Sequence, residues 1–289
     1  MIKKIFPLLI IAFIGLAMSS DKEAYEIFNA KGKETSYEKM LKDAEDADVV
    51  FFGESHNNPI SHWLEYELAA DLAKAKGKNL VLGAEMFEAD EQVLLDEYTS
   101  GVITKKQFDD QARLWKNYQT DYSPLLTVAV ENNLKFIATN IPRRYAALVN
   151  SKGFSILDSV GVEAKNWIAP LPIAYDTSVA CYKKMLEMGG GHGMKSMQNL
   201  PKAQAAKDAT MGYFISKNLK NGQTFLHFNG SYHSDNYEGI IWYLKRLRPE
   251  LKIMTITTIE QKSAQKLEAE NENVADFIIV TNSNLTKTY

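Results

Sequence analysis

One stretch of this chain, VVFFGESH at residues 49–56, decides the fold: an apolar, strand-like run ends in Gly-x-x-His. The same form recurs as FLHFNGSYH at residues 225–233. A buried strand carries the backbone to the edge of a core, and the glycine permits a tight turn that presents the histidine there. We therefore expect His56 and His233 to share a site at the ends of neighbouring strands. Taken singly, either histidine is equally well interpreted as a hydrogen-bonded turn or core residue.

The composition is that of an ordinary globular protein. The chain has 289 residues, of which 45% are apolar and 24% are charged, so it is long enough to bury a large core. The formal net charge is −3 and the charges are well mixed along the sequence. Because no basic surface is indicated, we expect no nucleic acid partner.

The N-terminus resembles a secretory signal. Lys3 and Lys4 precede the uncharged run Ile5–Met18, and small residues follow at the expected cleavage positions. We predict a signal peptide over residues 1–19 and export to the periplasm or the cell envelope. The run is shorter than the roughly 18 residues that span a bilayer. The single cysteine, Cys181, provides neither a lipobox cysteine nor an internal disulfide.

Strand and helix patterns alternate along the mature chain. Apolar runs predict strands at residues 49–52, 80–85, 135–139, 224–228, 253–259 and 277–280. Helical patterns lie between most of them, one with a capping box at Thr104 and Gln107 and another that Gly153 ends. Strands that alternate with helices favour an α/β class fold, a doubly wound, mostly parallel sheet flanked by helices on both faces.

Residues 155–211 interrupt this alternation. They contain prolines, five of the ten methionines and a glycine cluster around His192, and no strand pattern. A long segment without function is uncommon in a compact domain, so we interpret it as a helical insertion that acts as a lid over the site. The alternative is a poorly packed excursion. In either case, residues 20–289 are predicted to form a single domain.

Polar residues follow the predicted strands at one edge. The first strand leads into Glu54 and His56, the second contains Glu85, and the fourth leads into His233. Ligands bind open parallel sheets outside the carboxyl ends of their strands. A buried Glu85 requires a partner, either a metal, a hydrogen-bond network, or an ion pair with the nearby Arg143 or Arg144.

Two chemistries fit this edge. His56, His233 and Glu85 are ligand types of a divalent transition metal ion, with Glu54 as base on a bound water, which would make the protein a metal-dependent hydrolase. Without metal, Glu54 and His56 could serve as a general acid and base. The spacing does not match a strict metal-binding motif, so it does not decide between the two.

Six motifs in order carry a family resemblance. They are GESH (53–56), GAEMFE (83–88), WKNY (115–118) with YSPLL (122–126), NIPRR (140–144), AQ (203–204) with KDATM (207–211), and GSYH (230–233). Together they resemble the ChaN family of haem-binding, iron-regulated exported proteins, within the Tiki/TraB/erythromycin-esterase-like superfamily. The similarity extends from about Val49 to Leu247.

The resemblance implies haem binding linked to iron uptake, with haem near the helical part at the interface of a homodimer and a tyrosine as iron ligand. It also implies contact with the haem-uptake machinery of the envelope. Candidate haem contacts in the insertion are Tyr182, Tyr175, His192, Met185 and Met188. The alternative for each of them is packing on the core. Haem binding by the insertion would leave the strand-end residues Glu54, His56, Glu85 and His233 without a role, so the hydrolase hypothesis stays open beside it.

Overall fold

The computed structural model describes residues 23–190 and 199–289, and the side chains of residues 188–190 are also outside the description. The predicted signal peptide (1–19), His192 and the Met188 side chain therefore lie outside the described residues. None of the helices in the described ranges is long and apolar enough to cross a membrane.

A mixed sheet of seven strands forms the centre of the fold. The strands are β1 (Tyr25–Asn29), β2 (Val49–Glu54), β3 (Leu80–Glu88), β4 (Lys135–Asn140), β5 (Thr224–Gly230), β6 (Ile253–Gln261) and β7 (Phe277–Asn282), in the spatial order β1-β7-β6-β2-β5-β3-β4. Only β1 pairs antiparallel in the described sheet, at the edge beside β7. The two Gly-x-x-His strands, β2 and β5, are direct neighbours, so their carboxyl ends lie side by side.

Helices cover both faces of this sheet. The described helices are α1 (Tyr37–Glu45), α2 (Pro59–Lys76), α3 (Gln92–Thr99), α4 (Lys105–Gln111), α5 (Ser123–Asn132), α6 (Arg143–Lys152), α7 (Val162–Lys165), α8 (Ala180–Gly190), α9 (Leu200–Asn218) and α10 (Ile240–Leu247). Along β2, Val50 and Phe52 pack with α2 and α5 on one face, whereas Val49 and Phe51 pack with α9 and α10 on the other. Both sets are fully buried, which explains why β2 reads as a continuous apolar run.

The predicted α/β class is confirmed, and each predicted strand is present. The capping box at Thr104 and Gln107 forms at the start of α4. Gly153, with φ of 79°, ends α6 as predicted. The predicted insertion contains α7 and α8, but its last part begins α9, whose Met211 is fully buried against the sheet. That part of the insertion is therefore a core element.

Candidate functional site

A cleft of about 750 Å³ lies at the carboxyl edge of the sheet. It brings the strand ends and the predicted insertion together, because Met185 of α8 lines it along with residues that follow β2 and β5. Its lining is Glu54, Ser55, His56, Glu85, Trp115, Met185, Gln204, Lys207, Gly230, Ser231, Tyr232, His233, Thr258 and Glu260. The four strand-end residues of the sequence prediction all belong to this cleft.

Glu54 and His56 form a hydrogen-bonded pair in the cleft. His56 Nδ1 lies 2.6 Å from Glu54 Oε1, which also accepts a hydrogen bond of 2.7 Å from the Tyr122 hydroxyl. The Glu54 side chain is buried, but 38% of the His56 side chain is exposed, and its ring packs edge-on against Trp115 at 5.0 Å. Burial opposes protonation of His56, yet the hydrogen bond and charge of Glu54 raise its pKa above the ordinary value. The free Nε2 is the nitrogen left for a ligand or a proton.

His233 is held between two buried carboxylates. Its Nε2 lies 3.1 Å from Glu85 Oε1, and its Nδ1 bonds to Asp208 of α9. Glu85 Oε2 accepts a further hydrogen bond of 2.9 Å from the backbone of Gly230. Burial acts to lower the pKa of His233, but the charges of Glu85 and Asp208 raise that pKa to about 9. Burial likewise opposes ionisation of Glu85, but His233 lowers the pKa of that carboxyl well below its usual range. The three side chains form an ion triad with the imidazole protonated.

The predicted partners Arg143 and Arg144 do not pair with Glu85. Arg143 pairs instead with Glu88, and Arg144 Nη1 lies 2.6 Å from Asp90. The hydrogen-bond network around His233 therefore meets the requirement of Glu85 for a partner.

A second cluster joins Glu54, at the end of β2, to two residues of α2. His62 Nδ1 lies 2.9 Å from Glu65 Oε2 and 3.6 Å from Glu54 Oε2, and all three residues are buried. Burial and the neighbouring Glu65 raise the pKa of Glu54 to about 8, and burial raises the pKa of Glu65 to about 8.

The tyrosines of the insertion lie away from the cleft lining. Tyr182 is fully buried, and its hydroxyl donates a hydrogen bond of 2.6 Å to Asp208 Oδ2. Tyr175 is half-buried and its ring packs on Tyr182 at 5.6 Å. Tyr232, which was not predicted, does line the cleft, but its hydroxyl donates to the carbonyl of Cys181 at 2.5 Å. Burial raises the pKa of Tyr232 to about 12, so its phenolate is disfavoured.

The structure contains a compact group of possible metal ligands, but it is not the group expected from the sequence. In the described part of the chain, the ligand atoms that lie within 4.8 Å of one another belong to Glu54, His62 and Glu65. The expected set of His56, His233 and Glu85 is not such a group, although Glu85 Oε1 lies 3.1 Å from His233 Nε2.

Several residues of the site carried a weak signal in the sequence or none. Gln204 and Asp208 are four residues apart in the AQ and KDATM motifs, which places both on one face of α9, but no role was assigned to them. His62 and Glu65 lie on a helix whose pattern predicts only packing. Their proximity to Glu54 depends on how α2 packs against β2, which no local pattern encodes.

The sequence of this chain matches one family of known proteins. A family model described as haem-binding uptake, Tiki superfamily, ChaN, matches residues 40–244. The chain belongs to this family. No protein of curated function matches the sequence significantly.

Three solved structures that are similar to this chain differ in how well they superpose on it. A structure described as cofacial heme binding to ChaN of Campylobacter jejuni superposes with a TM-score of 0.68 and 17% identity, covering 90% of this chain and 97% of that one. The erythromycin esterase EreC, in its open conformation, gives a TM-score of 0.46 and 10% identity over 90% of this chain and 83% of that one. RRSP, a MARTX toxin effector domain from Vibrio vulnificus, gives 0.45 and 14% over 86% of this chain and 38% of that one. The match to the Campylobacter protein supports the ChaN fold over most of the chain.

Proposed function

We propose that this ChaN-family chain is an exported haem-binding protein of haem and iron uptake, and that it holds haem in the cleft at the carboxyl edge of the sheet. The observation that carries the proposal is that a half-exposed imidazole, His56, and a methionine of α8, Met185, line one cleft. Family membership supports haem as the ligand. The cleft supplies a place for it.

The residues of the cleft fit a porphyrin. The volume of the cleft, about 750 Å³, falls within the roughly 300 to 1,000 Å³ of small-molecule sites. Trp115 and Met185 offer broad, polarizable surfaces to an apolar disc. Lys207 supplies an ammonium group suited to the carboxylate of a propionate side chain. Haem would supply an iron centre that takes a nitrogen or oxygen donor from a side chain.

His56 is the described cleft residue best suited to hold the iron. Glu54 fixes its Nδ1 and leaves Nε2 free, an arrangement typical of metal-ligating histidines. Tyr232 is less suited, because its hydroxyl donates to a carbonyl and its raised pKa disfavours the phenolate. Tyr182 is less suited because its hydroxyl is buried against Asp208. His192, Tyr175 and Met188 stay predictions that the same experiment tests.

A haemin titration of the purified chain, followed by the Soret band, tests the proposal. We expect a saturable shift, and we expect His56→Ala to weaken binding by about tenfold or more and to change the Soret position. Tyr182→Phe and Tyr175→Phe are matched controls that keep each ring and remove only a hydroxyl. No saturable shift in the wild-type chain would refute haem binding. A shift lost in Tyr182→Phe and kept in His56→Ala would assign the iron to the insertion instead.

We also propose a homodimer that encloses the haem. The support is that the cleft opens to solvent beside His56, so that a second copy over the opening would cover the ligand. Light scattering during size-exclusion chromatography should show the mass doubling when haemin is added. A mass that stays monomeric at saturating haemin would contradict it.

A hydrolase stays the second candidate, favoured by the 2.6 Å contact between Glu54 and His56 beside the His233 triad. Glu54 would orient His56 as general base for an attacking water. An ester and peptide panel tests this, and turnover that His56→Ala leaves unchanged would exclude the proposed base.

A further inference from the structure

We infer that Glu54, His62 and Glu65 form a binding site for a divalent first-row transition metal ion, which adjoins the proposed haem cleft through Glu54. Each residue offers one ligand atom, and these atoms lie within 4.8 Å of one another. One imidazole nitrogen and two carboxylate oxygens suit zinc, iron or manganese in the divalent state.

The tautomer of His62 turns a lone pair into this cluster. Its Nε2 lies 3.1 Å from the carbonyl oxygen of His56, which can only accept a hydrogen bond, and 3.3 Å from Asp121 Oδ2. Nε2 therefore carries the hydrogen in the neutral ring, and Nδ1 presents its lone pair to Glu65 and Glu54. Metal-ligating histidines are oriented in this way by a partner on the other nitrogen.

The carboxylates leave acceptor capacity that a cation would satisfy. Glu54 Oε2 and Glu65 Oε1 are buried and accept no hydrogen bond from the described residues. Glu54 Oε2 is aimed into the cluster, 3.6 Å from His62 Nδ1. Buried acceptors without partners are costly, so the site requires positive charge, either as a metal ion or as protons.

The surroundings provide outer contacts and a route of entry. Tyr122 donates to Glu54 Oε1, and Asn117 donates to Asp121 at 2.6 Å. A second cleft, of about 450 Å³, is lined by His62 and Asp121. This cleft gives a metal ion an approach to the cluster from the side of His62.

The experiment uses the haem-free chain, stripped with EDTA and dialysed against zinc or cobalt. We expect stoichiometric metal by mass spectrometry and visible absorption bands from bound cobalt. Glu65→Gln and His62→Gln should lower metal affinity by about tenfold or more, whereas Glu91→Gln, a buried carboxylate outside the cluster, should leave it unchanged.

X-ray absorption of the cobalt-loaded wild-type chain gives a test that needs no variant. Nitrogen and oxygen ligands with one imidazole support the site. Sulfur or two imidazoles would place the metal elsewhere and overturn the inference, as would a wild-type chain that binds no metal. If the wild-type chain binds no metal, protons supply the positive charge that the cluster requires. This result does not depend on the haem titration, because the metal experiment contains no haem and the haem titration contains no added zinc or cobalt.

Discussion

His227, in the middle of β5, should make the stability of this fold depend on pH. The residue is fully buried, with its ring 5.7 Å from Phe51 and 6.2 Å from Phe225. Its Nδ1 lies 2.9 Å from Asn229 Oδ1, and its Nε2 lies 2.8 Å from Thr139 Oγ1. Burial lowers the pKa of His227 to about 4, because a cation in this apolar position loses its hydration.

The sign follows from the unfolded chain, in which a histidine has a pKa of about 6.5. Between pH 6.5 and about pH 4, His227 is protonated in the unfolded state but not in the folded state. Its contribution to the free energy of unfolding is therefore complete above pH 6.5 and falls as the pH falls. At about 1.4 kcal/mol per unit, acidification from about pH 7 to about pH 4.5 costs roughly 2.5 kcal/mol. For a chain of 289 residues, that lowers Tm by roughly 4 °C.

Thermal unfolding of the wild-type chain and of His227→Gln, at both pH values, isolates this contribution, because other titrating groups affect both proteins. We expect the wild-type Tm to fall further than that of the variant by roughly 4 °C. Should His227→Gln fail to fold, the His227 ring proton in nuclear magnetic resonance spectra of the wild-type chain should begin to titrate only below about pH 5. Parallel Tm curves, or a ring that titrates near pH 6.5, would refute the reasoning.

Two further substitutions test the packing around the site. Gly83→Ala would place a Cβ 2.7 Å from the ring of Phe225, so we expect a loss of about 1 to 3 kcal/mol in urea unfolding, whereas Gly161→Ala, where no described atom lies within 4 Å, should change little. Tyr182→Phe removes the buried hydrogen bond to Asp208 and should cost about 1.5 to 3 kcal/mol while leaving haem affinity unchanged. Lost haem binding at unchanged stability would show that the Tyr182 hydroxyl serves the ligand.

The sequence predicted the strands of the sheet well because most of them are buried on both faces and read as apolar runs. The exception is β1, whose sequence YEIFN mixes polar and apolar residues and whose partner β7 lies at the other end of the chain. Gly-x-x-His at two strand ends located the cleft, since β2 and β5 are adjacent and parallel. In physical terms, these signals are local.

What the sequence could not predict depends on packing between distant segments. Asp208 reaches His233 only because α9 lies against the sheet, and its carboxylate fixes Nδ1 of that ring. Tyr182 is a plausible iron ligand by residue type alone, but its burial against Asp208 becomes visible only in the fold. Residue types therefore identified the chemistry, and the tertiary structure decided which atoms are free to perform it.

Glu54 joins the two proposed sites. Its Oε1 accepts from His56 and Tyr122, while its Oε2 faces His62. A cation bound to the buried cluster would keep Glu54 ionised. It would also withdraw electron density from the carboxylate, so that Glu54 Oε1 would accept the hydrogen bond from His56 Nδ1 less strongly. The donor strength of His56 Nε2 toward iron would therefore depend on what the cluster contains. Binding free energies are reciprocal, so any effect of the cation on haem affinity must be matched by an equal effect of haem on the affinity for the cation.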